Sequence, residues 1–193
     1  MALSCESPVT ASKLNQVVNK AIFLDRDGVI NHPFIKDGKP YPPMSLEDFV
    51  IYDDALNVMS ELKQRKFLLI VVTNQPDINR GTQDIAIVNK MHQKIMGMLP
   101  VDHIEMALVE AGDDYKPKPG MLLNTAKNFD IDLAKSYMIG DRWRDIGAGI
   151  NAGCYKNILL DRSYSEDMIF KPDYVCDTLT QAKNYIFEQE GML

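Results

Sequence analysis

Short apolar runs alternate with longer amphipathic segments along the chain, and this alternation limits the folds that the sequence can adopt. The apolar runs are rich in Ile, Leu, Val and Phe, which is typical of strands buried on both faces of a sheet. The segments between them repeat their apolar side chains with helical spacing. We therefore predict an α/β fold with a single doubly wound, mostly parallel, Rossmann-like sheet and helices on both faces.

The alternation also assigns the individual elements. Strands are predicted at residues 20–25, 67–73, 104–109, 136–139, 157–160 and, shorter, 174–176. Helices are predicted at residues 53–65, 82–99, 119–129, 142–152 and 179–190. Residues 31–48 are rich in proline and predict a long loop, which is either a wall of the pocket or only a long connection. Residues 1–18 are polar and predict a loose N-terminal arm before one domain over residues 19–193.

The composition restricts the partners and the compartment. With 21 Lys and Arg against 27 Asp and Glu, the net charge is −6, which argues against nucleic acid as a partner. The longest apolar run, residues 67–72, is far shorter than the ~20 residues of a membrane span, and residues 1–20 lack the apolar core of a secretory signal. Three isolated cysteines suit a reducing compartment, so we expect a cytoplasmic protein. No sequence feature indicates the oligomeric state, and we expect a monomer.

Polar side chains stand where the predicted strands end. Asp25 and Asp27 follow the first strand two positions apart, so in an extended backbone both project into one crevice. Thr73 ends the second strand, and Asp141 follows the fourth, with Asp145 one helical turn beyond. Ligands of doubly wound sheets bind at the carboxyl ends of the strands. We therefore expect these side chains to line one site.

This set of side chains is suited to phosphoryl transfer. Several carboxylates in a partly desolvated cleft require protons or a cation, and oxygen-only ligands favour Mg²⁺ over zinc. Lys116 lies on a proline-containing loop after the third strand. Together with Thr73, it could bind a substrate phosphate. A carboxylate is a competent nucleophile toward phosphorus. We assign Asp25 as the nucleophile and Asp27 as the general acid and base.

Four segments at successive strand ends resemble the motifs of the haloacid dehalogenase (HAD) superfamily of phosphohydrolases. They are Phe23-Leu24-Asp25-Arg26-Asp27-Gly28-Val29-Ile30-Asn31, Val72-Thr73-Asn74-Gln75, Lys116-Pro117-Lys118-Pro119-Gly120 and Gly140-Asp141-Arg142-Trp143-Arg144-Asp145. A lone D-x-D-G would be weak evidence, whereas four motifs in order across residues 20–160 are specific. Within the superfamily, the motifs are similar to those of the branch that contains heptose bisphosphate phosphatases and histidinol-phosphate phosphatases.

The resemblance implies an HAD-type domain without a large cap domain, together with a set of site residues. The implied residues are, for Mg²⁺, the carboxylates of Asp25 and Asp141 and the backbone carbonyl of Asp27; for phosphate, Thr73 and Lys116; and for the rest of the substrate, Asn74, Arg80 and Arg142. Asp145 is expected either to support the metal through a water molecule or to pair with Arg142 or Arg144 at the surface.

The sequence departs from this branch just before the third motif. Members of the branch typically carry a Cys/His zinc loop there, which ends in an Arg that precedes the lysine. Here the corresponding loop is short, contains no Cys or His, and ends in Tyr115. We therefore expect no zinc, and a cation that could hold a second substrate phosphate is absent from this position.

Several hypotheses compete with a phosphatase site for a heptose bisphosphate. Within the enzymes, the substrate could be histidinol phosphate. A 3′-phosphatase acting on nucleic-acid ends shares the scaffold, but the negative net charge argues against it. From another class, the chain could be a phosphoacceptor module or a catalytically idle binding scaffold. The second carboxylate, Asp27, favours turnover over a long-lived aspartyl phosphate, and none of the four motifs is missing.

Overall fold

A computed structural model describes residues 18–192, so the predicted arm lies outside the described residues except for Val18. In chain order, the elements are β1 (Ala21–Leu24), β2 (Phe34–Lys36), β3 (Lys39–Tyr41), α1 (Ala55–Gln64), β4 (Leu68–Asn74), α2 (Pro76–Asn79), α3 (Ile85–Met98), β5 (His103–Ala107), α4 (Gly120–Asn128), β6 (Tyr137–Gly140), α5 (Trp143–Ala152), β7 (Lys156–Leu160), β8 (Tyr174–Cys176) and α6 (Leu179–Gln189). A 3₁₀ turn at Leu133–Lys135 precedes β6.

Six strands form one parallel sheet in the order β5-β4-β1-β6-β7-β8, which confirms the predicted α/β architecture. The chain adds β4 and β5 on one side of β1 and then returns to add β6, β7 and β8 on the other. The strand order thus reverses beside β1, and the crevice of a doubly wound sheet opens at such a point. This topology places the ends of β1, β4 and β6 next to one another.

The sheet separates two apolar layers, as strands buried on both faces require. Ile22 and Leu24 of β1 pack with α1, α3 and α6 on one face, whereas Ala21 and Phe23 pack with α4 and α5 on the other. This alternation follows from the two-residue period of a strand. Helices on both faces bury β1 completely, and its carboxyl end is consequently held by a rigid support.

Residues 31–48 depart from the predicted long loop because they contain an antiparallel hairpin of β2 and β3. Lys36 pairs with Lys39, so the connection is the two-residue turn Asp37-Gly38, and both turn residues have positive φ. Asp-Gly is a favoured sequence for such turns because both residues tolerate that backbone conformation. Part of the predicted loop is therefore ordered into strands.

The region after β4 also differs from prediction. The helix predicted to start at Thr82 begins at Ile85, where the side chain of Asp84 accepts a hydrogen bond from the backbone N–H of Ala86 (2.7 Å) and caps the helix. The short helix α2 was not predicted. Among residues 18–192, no helix combines the length and the apolar character that a membrane crossing needs.

Candidate active site

The carboxyl edge of the sheet brings the predicted site residues together around one cavity of about 300 Å³. The hairpin contributes part of its wall through Pro40 and Tyr41. All nine residues assigned to the site from the sequence line this cavity: Asp25, Asp27, Thr73, Asn74, Arg80, Lys116, Asp141, Arg142 and Asp145. The cavity lies where the strand order reverses, as doubly wound sheets require of a ligand site.

Three buried carboxylates form the floor of the cavity. One oxygen each of Asp25, Asp141 and Asp145 lies within 4.8 Å of the others. Burial raises the pKa of Asp25 to about 6, with Asp145 adding to the rise and Lys116 opposing it. Burial and the charges of Asp25 and Asp145 raise the pKa of Asp141 well above its usual range. Asp145, expected at most as an outer support, thus belongs to the acidic cluster itself.

Lys116 supplies the counter-charge for this cluster. Its side chain is 2% exposed, and its Nζ lies 2.7 Å from Asp25 Oδ1 and 2.6 Å from Asp145 Oδ1. It also donates a hydrogen bond to the backbone oxygen of Val72 (2.7 Å). Burial alone would lower the pKa of Lys116, but the carboxylates of Asp145 and Asp25 raise it. The ammonium group therefore stays charged between the two carboxylates.

The side chain of Asp27 lies outside the acidic cluster in a cage of hydrogen-bond donors. Arg26 donates to both of its oxygens (3.2 and 2.7 Å), Asn31 to Oδ1 (2.9 Å) and Gln75 to Oδ2 (3.0 Å). Burial would raise the pKa of Asp27, but the Arg26 guanidinium and these hydrogen bonds lower it. In the free protein, Asp27 is consequently ionised, which suits a proton acceptor. To act as a general acid, Asp27 has to gain a proton when an anionic ester binds.

Arg26 and Gln75 contact the predicted site residues, although the sequence predicted no role for them. The guanidinium of Arg26 is fully buried, 3.2 Å from His92 Nε2 and over the ring of Phe49. Gln75 donates to both Asp27 and the hydroxyl oxygen of Thr73 (3.0 Å each). Since that oxygen accepts from Gln75, the Thr73 hydroxyl hydrogen is left for another acceptor. Arg26 could have been found from the sequence, because a charged residue directly after a buried strand and between two carboxylates is expected to be buried with a partner.

Three residues expected to touch substrate are held by protein partners. The side-chain amide of Asn74 donates to the backbone oxygen of Lys116 and accepts from its N–H (3.1 Å each), so it positions that lysine. Arg80 bonds to Asp77 and Glu110 (2.9 and 2.6 Å). Arg142 makes two bonds to Glu166 (2.9 and 2.6 Å), and these bonds, with the Glu166 charge, raise its pKa.

The acidic cluster is suited to a hard divalent cation. Asp141 Oδ1 is a buried carboxylate oxygen that has no hydrogen-bond partner among the described residues. A buried polar atom without a partner calls for an unseen ligand or water. Oxygen donors alone, without His or Cys, favour Mg²⁺ or Ca²⁺ over zinc. The donor set therefore fits the metal that the motifs imply.

Comparison with known proteins identifies the family of the chain. The family model for HAD-hydrolase-like proteins matches residues 115–182. The D-glycero-beta-D-manno-heptose-1,7-bisphosphate 7-phosphatase of Haemophilus influenzae is 34% identical over 157 residues, covering 74% of this chain and 82% of the relative. The enzyme of the same name from Escherichia coli K12 is 30% identical over 189 residues, covering 88% of this chain and 95% of the relative.

A solved structure agrees in fold. The D,D-heptose 1,7-bisphosphate phosphatase of Bordetella bronchiseptica, complexed with magnesium and phosphate, matches with a TM-score of 0.75 and 28% identity over 88% of this chain and 99% of that chain. The four motifs, the sheet order and these similarities agree with one another. The chain therefore belongs to the HAD-like hydrolases and is a phosphatase of that family.

Proposed function

We propose that the protein hydrolyses the phosphate monoester of a small sugar bisphosphate of the heptose type, with Mg²⁺ as the cofactor and a phosphorylated Asp25 as the intermediate. The observation that carries the proposal is the buried floor of the cavity, where Asp25 lies beside Lys116 and two further carboxylates. A nucleophile, a fixed cation and an oxygen-lined cation site in one cavity are the parts that phosphoryl transfer needs.

In this proposal, Mg²⁺ is held by the carboxylates of Asp25, Asp141 and Asp145, and the backbone carbonyl of Asp27 stays a predicted fourth ligand. Bound Mg²⁺ supplies positive charge that lets an anionic ester approach an anionic nucleophile. Asp141 Oδ1, which lacks a partner among the described residues, is the atom most clearly in need of such a ligand. In the metal-free state, Lys116 and protons provide partial counter-charge for the cluster.

The first half of the reaction uses Asp25 and Asp27. Lys116 and the free hydroxyl hydrogen of Thr73 orient the phosphoryl oxygens. An oxygen of Asp25 forms a bond to phosphorus while the ester P–O bond breaks. Asp27, protonated in the presence of the anionic ester, gives its proton to the leaving sugar oxygen.

The second half regenerates the free protein. Asp27 is now ionised, the state that Arg26, Asn31 and Gln75 stabilise, and it accepts a proton from an attacking water molecule. The water oxygen bonds to phosphorus and the bond to Asp25 breaks, which releases inorganic phosphate and leaves the water proton on Asp27. Asp27 then loses this proton to solvent, which balances the proton gained on ester binding and restores the ionised carboxylate of the free protein. One carboxyl group thus serves as acid and then as base.

The size and position of the cavity support a small metabolite. A volume of about 300 Å³ is at the lower end of the range for ligand-binding cavities, and the relatives are named for a heptose bisphosphate.

We propose the cytoplasm as the location of the protein. Cys154 and Cys176 are free thiols, which agrees with a reducing compartment.

A kinetic screen of the purified protein tests the proposal. We expect phosphate release from p-nitrophenyl phosphate that requires Mg²⁺ and stops with EDTA, and the highest kcat/KM for sugar bisphosphates in a panel with sugar monophosphates and histidinol phosphate. A preference for histidinol phosphate would replace the proposed substrate. Wild-type protein that hydrolyses none of these esters would contradict the proposal and favour a binding scaffold.

The mouth of the cavity offers a place for the second phosphate of such a substrate. Arg80, Arg142 and Arg144 all line the cavity beside Tyr115. The first two are held by carboxylates, whereas Arg144 forms no ion pair with any residue in the range 18–192 and lies over the ring of Trp143 at 5.1 Å. Arg144 thus offers a free cation near the position where Tyr115 replaces the usual arginine.

Arg144→Gln is expected to lower kcat/KM for a sugar bisphosphate by roughly 10–100-fold, because a charge-assisted hydrogen bond contributes about 1.5–3 kcal/mol. The kcat/KM for p-nitrophenyl phosphate, which has no second phosphate, should stay within about twofold. Lys118→Gln, which removes an exposed cation of the third motif, serves as the matched control. Equal losses on both substrates would place Arg144 in general folding or chemistry instead of substrate selection.

A further inference from the structure

The segment after β7, residues 161–166, is fixed to two parts of the active-site wall. Arg162 Nε donates a hydrogen bond to the backbone oxygen of Gly28 in the first motif (2.9 Å). The backbone N–H of Ser165 donates to the backbone oxygen of Gly38 at the tip of the hairpin (2.9 Å). No role was assigned to this segment from the sequence. Its contacts hold it beside the acidic cluster.

Glu166 ties the same segment to the fourth motif. It accepts two hydrogen bonds from Arg142 (2.9 and 2.6 Å) and one from the indole N–H of Trp143 (2.9 Å). A carboxylate with three charge-assisted or directional bonds has little freedom to move. Arg142 and Trp143, which lie between Asp141 and Asp145 in the sequence, are therefore linked to the segment that carries Tyr164.

Tyr164 reaches from this segment to the acidic cluster. Its hydroxyl donates a 2.7 Å hydrogen bond to Asp141 Oδ2. The other oxygen of the same carboxylate, Oδ1, is buried without a hydrogen-bond partner among the described residues. The two oxygens of Asp141 thus differ: Oδ2 is held by a phenol, and Oδ1 has no partner among the described residues. The Asp141 carboxylate as a whole lies in the cluster with Asp25 and Asp145.

Gly28 provides the space for this hydrogen bond. A Cβ atom at Gly28 would lie 1.7 Å from Asp141 Oδ2 and 3.0 Å from the Tyr164 hydroxyl oxygen, and the φ of Gly28 is +88°. Any side chain at this position would displace the pair. The first motif, the fourth motif and Tyr164 are packed together around one carboxylate oxygen.

We propose that Tyr164 is a positioning residue that fixes the rotation of the Asp141 carboxylate, so that Oδ1 faces the metal. This inference rests on the proposed function, in which Asp141 binds Mg²⁺. Hydrogen bonds to the second atom of a metal-binding group orient that group, and their loss typically weakens metal binding by 10–100-fold. Tyr164 acts through Asp141 and is not among the residues that line the cavity.

Calorimetric titration of metal-free protein with MgCl₂, without substrate, tests this inference. Tyr164→Phe removes only the hydroxyl and should raise the Kd for Mg²⁺ by about tenfold. At saturating Mg²⁺, its kcat on p-nitrophenyl phosphate should return to within about threefold of wild type, because the chemical groups are intact. Tyr52→Phe is the matched control: this phenol packs against Arg162 of the same segment but donates no hydrogen bond to Asp141, and its Kd should not change.

The outcomes separate this inference from the proposed function. If Tyr164→Phe binds Mg²⁺ as tightly as wild type, the positioning role is overturned while the phosphatase proposal stands. The positioning role is equally overturned if the variant only lowers the melting temperature of the metal-free protein, since a purely structural role would do that. If wild type itself binds no Mg²⁺, both proposals fail together.

Discussion

Replacing Asp25 with asparagine is expected to reduce phosphate release from every substrate by roughly 10⁴-fold or more, because a carboxamide is not a nucleophile and cannot form the aspartyl phosphate. Asparagine has nearly the same shape, so the buried site can retain its packing. Removing one of three crowded carboxylates also relieves repulsion, since the pKa of Asp25 is already raised to about 6 by burial and by Asp145. We therefore expect activity to be lost without a comparable loss of stability.

The measurement is steady-state release of p-nitrophenol with Mg²⁺, together with thermal unfolding of the same preparation. Asp53→Asn removes an exposed carboxylate from the loop before α1 and should leave both activity and melting temperature unchanged. A residual rate above about 1% of wild type in Asp25→Asn would mean that another group attacks phosphorus. The assignment of Asp25 would then be wrong.

Asp27→Asn tests the separate role of Asp27, because this variant retains the nucleophile Asp25. p-Nitrophenolate leaves without needing a proton, so the first half of the reaction should survive, whereas hydrolysis of the phosphorylated Asp25 loses its base. We expect an initial burst of p-nitrophenol followed by turnover slowed by roughly 10²–10⁴-fold. A burst in Asp27→Asn and none in Asp25→Asn would assign the two carboxylates to separate steps.

The sheet and the positions of the motifs were predictable because they depend on local, repetitive signals. Buried strands such as β1 carry uninterrupted apolar residues, and a parallel sheet brings strand ends to one edge whatever the loops do. This is why Asp25, Thr73 and Asp141 could be expected at one edge of the sheet, where all three line the same cavity. The hairpin was missed although Asp37-Gly38 is a turn sequence, because the surrounding prolines suggested a loop.

The partners of the site residues were harder to predict because they depend on tertiary contacts between distant segments. Tyr164 contacts a residue 23 positions earlier, and Gln75 contacts one 48 positions earlier. No periodicity or motif encodes such a pairing. Asn74 is a similar case, since its hydrogen bonds to the backbone of Lys116, 42 positions later, were not predicted. Sequence patterns locate chemical groups, whereas packing decides which neighbours they have.

Lys116→Met is expected to lower the stability of the metal-free protein by about 3 kcal/mol, because it removes the buried cation from between Asp25 and Asp145. For a domain of this size, that corresponds to a fall in melting temperature of roughly 6–12 °C. The side chain of Met fills much of the same space, so the loss arises from charge and not from a cavity. Lys118→Met removes an exposed lysine two positions away and should change the melting temperature little.

Metal and protons should both rescue this variant, and this distinguishes an electrostatic defect from a packing defect. In EDTA, the variant holds three mutually repelling carboxylates without a cation, so Mg²⁺ should raise its melting temperature by more than it raises that of wild type. A carboxyl group whose pKa is raised in the folded state takes up protons on folding. Its contribution to stability therefore increases as the pH falls from above about 6 toward the usual value near 3.8.

Thermal unfolding at pH 7.5 and at pH 5, each with EDTA and with Mg²⁺, measures both effects. We expect the deficit of Lys116→Met relative to wild type to be largest at pH 7.5 in EDTA and to narrow on acidification or on addition of Mg²⁺. A deficit that is constant across the four conditions would show that Lys116 acts through packing. Activity at saturating Mg²⁺ should still fall by about 10²–10³-fold, because the fixed positive charge that orients the phosphoryl oxygens is not replaced by the metal.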